Sequence, residues 1–261
     1  MLSLFMYRTN GELQLEKQKD YKNVVITQIV IIVFGLTISG FLVDGSQTSQ
    51  AKLAITVYNI FGVVYSFLLW DLLRNFTKNR LLIKVCFIVL VSIVIIGTLL
   101  EFPYYTILEV PDRRLTLLLI HGLFFPIELI IISFCVRDIF SGDFLTPDKL
   151  WGSACVFLMI GLSFASLYHL ICIIKPGSLV DDPDIALINY SECVYHSLAI
   201  LGGIDPDHPV ASRLIRNISV MEAVWSNLFV VLIIGKLMSL PRPPKSELKE
   251  NEHHSLNTNV L

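Results

Sequence analysis

Two adjacent glycines, Gly202 and Gly203, stand between the apolar run Tyr190 to Leu201 and an aspartate, Asp205. A second apolar run, Ile218 to Met238, follows and carries Glu222 near its start. The chemistry these residues offer is cation coordination. Glycine adopts backbone angles that turn carbonyl oxygens toward a common axis. Rings of carbonyl oxygen replace part of a cation's water shell, and a neighbouring carboxylate raises the local cation concentration. The candidate ion-pathway residues are therefore Leu201, Gly202, Gly203, Ile204 and Asp205. Adjacent glycines equally make an ordinary tight turn. Their position between a half-length apolar segment and a full-length one favours a filter-like loop.

The elements that must position this loop follow from length and hydropathy. Hydrophobic residues make up 54% of the 261-residue chain and charged residues 16%, a balance that belongs to a multi-spanning membrane protein. Spans are predicted at about Asn23–Val43, Leu53–Leu73, Leu81–Leu100, Leu115–Val136, Trp151–Ile174 and Ile218–Met238. Tyr190 to Leu201 would cover roughly 18 Å as a helix, against a hydrocarbon core of roughly 30 Å. It enters the membrane without crossing it, which broken backbone does only inside protein or beside water. The fold class is thus all-α: six transmembrane helices plus one re-entrant helix. The pore-like segment occurs once, so a closed pore needs several copies of the chain.

Tyr195-His196-Ser197-Leu198-Ala199-Ile200-Leu201 resembles the pore helix of the bacterial two-helix ion-channel pore domain family, the potassium-channel-like type. Met221-Glu222-Ala223, Leu228-Phe229 and Ile233-Ile234-Gly235-Lys236-Leu237 resemble that family's last helix. The resemblance spans roughly Trp151 to Leu240. The family's potassium filter reads T-[TVL]-G-Y-G-D, whereas this chain has Ile200-Leu201-Gly202-Gly203-Ile204-Asp205, without the threonine and the tyrosine. The resemblance therefore implies a potassium-channel-like pore and a homotetrameric cation channel, and it does not extend to potassium selectivity. Within it, Glu222 is a brace behind the filter with Tyr195 or His196 as partner, and Asn227 lines the cavity.

Charge sets the orientation. Fourteen of the twenty lysines and arginines fall on the side of the two termini, so both termini are expected in the cytoplasm and the pore loop outside. The membrane expected is a bacterial inner membrane. From Lys175 to Arg216 the acids are Asp181, Asp182, Asp184, Glu192, Asp205 and Asp207, against three basic residues, which makes the mouth acidic. The fourth span holds no arginine between Arg114 and Arg137, so it is not a voltage sensor of the arginine-repeat type. It does hold His121 and Glu128, seven residues apart and on one helical face; a hydrogen bond between helices is the favoured role.

The expected organisation is a cytoplasmic segment 1–22, a four-helix domain 23–136, an interfacial amphipathic linker 137–149, a pore domain 150–240 and a disordered tail 241–261. Thr146-Pro147 is expected to start the fifth span sharply, and Asn189 with Glu192 has capping-box spacing that would start the short helix near Tyr190. Five cysteines without metal spacing read as free thiols. No pair among His169, His196, His208, Asp205 and Glu222 has the spacing of a metalloenzyme motif such as H-E-x-x-H, so no enzyme activity is expected. No cofactor is expected beyond permeant monovalent cations such as K+. The partners expected are the lipid bilayer and other copies of the chain, with no nucleic acid. A non-conducting channel relative, a membrane enzyme and a transporter remain the competing readings.

Overall fold

The computed structural model describes residues 10–42, 49–77, 79–101, 113–141, 144, 146–179, 186–206 and 212–239. Residues 1–9, the predicted mouth acids Asp181, Asp182, Asp184 and Asp207, and the tail 241–261 lie outside the described residues. Seven helices and no strand occur among the described residues: α1 (Asn10–Leu42), α2 (Ser49–Phe76), α3 (Arg80–Glu101), α4 (Arg113–Phe140), α5 (Pro147–Ile174), α6 (Ala186–Leu201) and α7 (Arg213–Ser239). All but α6 are long and apolar enough to cross a membrane, which makes the chain an all-α, multi-pass membrane protein.

α5 is the centre of the bundle. It packs against α1, α4, α6 and α7, and it is the most buried of the six spans. Its small residues allow this, because helices in a membrane approach closely where side chains are short. A Cβ at Gly152 would lie 3.0 Å from the Tyr21 ring, and one at Gly161 only 2.5 Å from Leu201 Cδ1. Those two glycines seat α1 and α6 respectively.

Four expected boundaries move. α1 is helical from Asn10, because Glu12 to Lys19 is rich in good helix formers and Lys17, Asp20 and Tyr21 bind neighbouring helices. Lys17 Nζ meets Asp138 Oδ1 at 2.5 Å, Tyr21 Oη donates to Asp138 Oδ2 at 3.3 Å, and Asn75 Nδ2 donates to Asp20 Oδ2 at 2.5 Å. Of the expected interfacial linker 137–149, residues 137–140 and 147–149 are helical. α4 continues through Phe140 with Ile139 fully buried against α5, and α5 already begins at Pro147. Thr146 is the N-cap in extended conformation with proline following, but its side chain makes no capping bond. α6 begins at Ala186 rather than Tyr190, so Asn189 lies inside the helix. Consequently the expected divisions at residues 22, 136 and 149 fall within α1, α4 and α5.

Candidate functional site

At 16 residues α6 is about 24 Å long, still short of the hydrocarbon core. It is wedged among α1, α5 and α7. Its C-terminus closes as a Schellman cap. Ile204 N–H donates to Ala199 O at 2.8 Å, Gly203 N–H to Ile200 O at 3.0 Å, and Gly203 has φ of +71°. Only glycine takes that left-handed angle without strain. The cap's bonds end on Leu198, Ala199 and Ile200, so it makes no use of the carbonyls of Leu201, Gly202, Gly203 and Ile204. Gly202, Gly203, Ile204 and Asp205 are all exposed, and Leu201 is half-buried against α5.

Glu222 fastens this end to the last helix. It is fully buried on α7. Tyr168 Oη of α5 donates to Glu222 Oε2 at 2.6 Å, and Ser197 Oγ of α6 bonds to Glu222 Oε1. One carboxyl group thus joins α5, α6 and α7. Both hydroxyls have a second partner: Ser197 Oγ reaches Gly161 O at 2.8 Å and Tyr168 Oη reaches Ser219 Oγ at 3.2 Å. The expectation that Tyr195 or His196 would partner Glu222 is corrected. Tyr195 is 42% exposed, and His196 Nε2 bonds Ser219 Oγ at 2.9 Å. The turn of α6 that puts Ser197 on Glu222 directs Tyr195 outward, since residues two apart lie on different sides of a helix. The His196 ring meets Tyr168 edge-on at 4.9 Å, so it supports the brace indirectly.

α7 buries one stripe only, comprising Ile215, Glu222, Ser226, Phe229 and Ile233. Most of the rest of its surface, including Asn227, Trp225, Leu228 and Val231, is exposed and available to lipid or to another copy of the chain. Ser226 Oγ donates back to Glu222 O at 2.9 Å within the helix.

A second polar centre lies in the first five helices. Glu128 is fully buried on α4, taking hydrogen bonds from Tyr65 Oη of α2 at 3.3 Å and Ser163 Oγ of α5 at 3.1 Å. Gln28 Nε2 of α1 donates to Tyr65 Oη at 3.3 Å. His121 shares the α4 face with Glu128 but has other neighbours: its ring lies 4.4 Å from His169 and 5.4 Å from Tyr190, centroid to centroid. Sequence reasoning did not single out Tyr65, Ser163, Tyr168, Tyr190, Ser197 or Ser219 as polar partners. The one available signal was hydroxyl groups inside runs otherwise apolar, and that signal does not say which partner each will find.

The five cysteines are free thiols, four of them buried and Cys172 half-buried. Comparison with family models, with curated proteins and with solved structures found no match to this chain.

Proposed function

We propose that this chain is one subunit of a potassium-channel-like cation channel, a homotetramer in the cell membrane with both termini cytoplasmic. The observation that carries the reading is α6: a helix too short to cross, held inside the protein, ending in glycines beside an exposed aspartate. Its C-terminal end carries the negative partial charge of the helix dipole, which favours a cation. The wide exposed face of α7 supports self-association about that end. Reconstitution in planar bilayers under potassium, sodium and chloride gradients tests the reading. Cation current supports it; a silent bilayer from folded protein removes it.

A filter without the threonine ring and with branched Ile204 after the glycine pair offers fewer coordination sites. Weak discrimination between potassium and sodium is the expected result under bi-ionic conditions, and a strongly potassium-selective reversal potential contradicts it. Asp205→Asn is expected to lower conductance by about threefold near 10 mM salt and hardly at 1 M, because the charge's reach shrinks from about 30 Å to about 3 Å. Equal conductance at both salts would remove Asp205 from the pathway.

Orientation is tested on the two sides of α5, whose ends lie about 42 Å apart along its 28 residues: Lys175 directly follows its C-terminus and Ser141 lies in the α4–α5 connection at the other side. With native cysteines replaced, Lys175→Cys is expected to react with an impermeant maleimide from outside and Ser141→Cys from inside. Reaction of both from one face would defeat the topology.

A non-conducting channel relative is the second reading. The Schellman cap favours it, because ending a helix already accounts for a glycine at 203 without any ion. Turnover of a substrate in the absence of current would instead favour a membrane enzyme.

A further inference from the structure

The half of the bundle away from the Lys17–Asp138 pair holds a partly open cavity of about 220 Å³. It lies among α1 to α6, bounded by Tyr58 to Ser66 of α2, Ile93 to Thr98 of α3, Leu117 to Phe124 of α4, and Ser166 and His169 of α5. Most of its wall is apolar, with Ile31, Val63, Ile93, Phe124 and Leu162 contributing. At one corner His121, His169 and Tyr190 bring three rings together, with centroids 4.4–5.6 Å apart.

That corner is not satisfied from within. His169 is 3% exposed and its Nδ1 has no hydrogen-bond partner. Ser166 is 1% exposed, and its Oγ neighbours the Tyr190 hydroxyl without forming a bond of good geometry. A buried imidazole nitrogen left unpaired is costly, so a partner from outside the chain is favoured.

The chemistry of the walls selects among partners. At about 30 Å³ each, roughly seven waters would fill the space, yet each needs two to four polar neighbours. Outside the corner the lining is mostly apolar, with Tyr58, Asn59, Ser66 and Thr98 among the polar-bearing side chains away from it, and Ser66 and Thr98 already donate to carbonyls of their own helices, so water suits the corner better than the body. Among the described residues no three His, Cys, Asp or Glu side chains gather to hold a metal ion. A carboxylate would bring an uncompensated charge among apolar groups. A hydroxyl both donates and accepts, so it matches His169 Nδ1 in either tautomer while accepting from Ser166 or Tyr190. The residue set therefore fits one polar end and one apolar body.

We propose that this cavity is a binding site for an uncharged single-hydroxyl amphiphile dissolved in the membrane, held by His169, Ser166 and Tyr190 at its hydroxyl end. The site is independent of ion conduction and stands on the cavity alone.

The test uses the full chain in phosphatidylcholine nanodiscs and a diazirine-bearing decanol as photoprobe, with labelled residues mapped by mass spectrometry. Labelling is expected on the α2, α4 or α5 wall, displaced by n-decanol at about tenfold lower concentration than by n-decane or decanoate. Gly62 and Gly97 line the cavity, and a Cβ at either meets nothing within 4 Å. Gly62→Leu and Gly97→Leu therefore start a side chain from open space on the cavity wall, and each is expected to cut wall labelling tenfold or more. His169→Phe is expected to remove the preference for the alcohol over the alkane; should that variant misfold, the glycine variants decide. Labelling confined to the exposed face of α7, labelling unchanged by both glycine variants, or equal displacement by decane and decanol would each overturn the proposal.

Discussion

Glu222→Ala is expected to lower the unfolding free energy of the chain by roughly 2–3 kcal/mol. The carboxyl group takes hydrogen bonds from two hydroxyls on two other helices, in a site with no exposure. Hydrogen bonds to a charged group contribute about 1.5–3 kcal/mol each in water-soluble proteins, but side-chain bonds inside membranes have averaged nearer 0.6. The lower half of the combined range is expected for a second reason. Removing Glu222 orphans neither hydroxyl, since Ser197 keeps Gly161 O and Tyr168 keeps Ser219 Oγ. Ser197→Ala and Tyr168→Phe, which leave the carboxylate itself with one partner, are expected to cost nearly as much as Glu222→Ala, and the double variant less than their sum. Thermal unfolding in detergent micelles reads all three. A Glu222→Ala loss within about 0.5 kcal/mol, the range of a surface substitution, would mean the three-helix joint is not holding α6.

The second large effect is expected at Gly161, where α6 comes nearest to α5. A Cβ there meets Leu201 Cδ1 at 2.5 Å and Leu198 Cδ2 at 3.1 Å. Both are ends of flexible side chains, so Gly161→Ala is expected to be absorbed by rotamer changes at under about 1 kcal/mol. Gly161→Val adds two methyl groups at the same place and is expected to cost about 1–3 kcal/mol by overpacking. It also pushes the capped end of α6 away from α5 and breaks the Ser197 bond to Gly161 O, so the proposed current is expected to fall in parallel. Because Ser197 serves both Gly161 and Glu222, Gly161→Val on the Glu222→Ala background should cost less than on the native chain. Full additivity would show that the two positions act separately.

The existence of the spans was legible because bilayer thickness imposes a length, and runs such as Leu81–Leu100 meet it. The short helix was legible for the same reason, by failing to meet it. Helix ends were less legible. Glu12 to Lys19 carries no hydropathic signal of membrane depth, and its helix is stabilised by contacts from Asp138 and Asn75, distant in sequence. Asn189 has the spacing of a cap but lies inside α6. At the candidate site the buried glutamate was found from its sequence setting, while its partner Tyr168, 54 residues away, was not. α6 is apolar on several faces, so the sequence did not reveal whether Tyr195, His196 or Ser197 faces α7. The close approach at Gly161 set that rotation, and a glycine among many small residues does not announce such a contact.

The central place of α5 also bears on how the chain is made. During translation α5 leaves the insertion machinery before α6 and α7 exist, and its Tyr168 then lacks the Glu222 and Ser219 partners it later meets on α7. α1 and α4 are already present, and Glu128 can receive Ser163 at once. The half of α5 near His169 stays exposed to lipid until Tyr190 and Ser197 arrive. A nascent chain stalled before residue 186 thus displays a polar helix face to the bilayer, a surface that membrane chaperones and quality-control proteases recognise. The helix that holds the finished bundle together is the part of the unfinished one most open to capture.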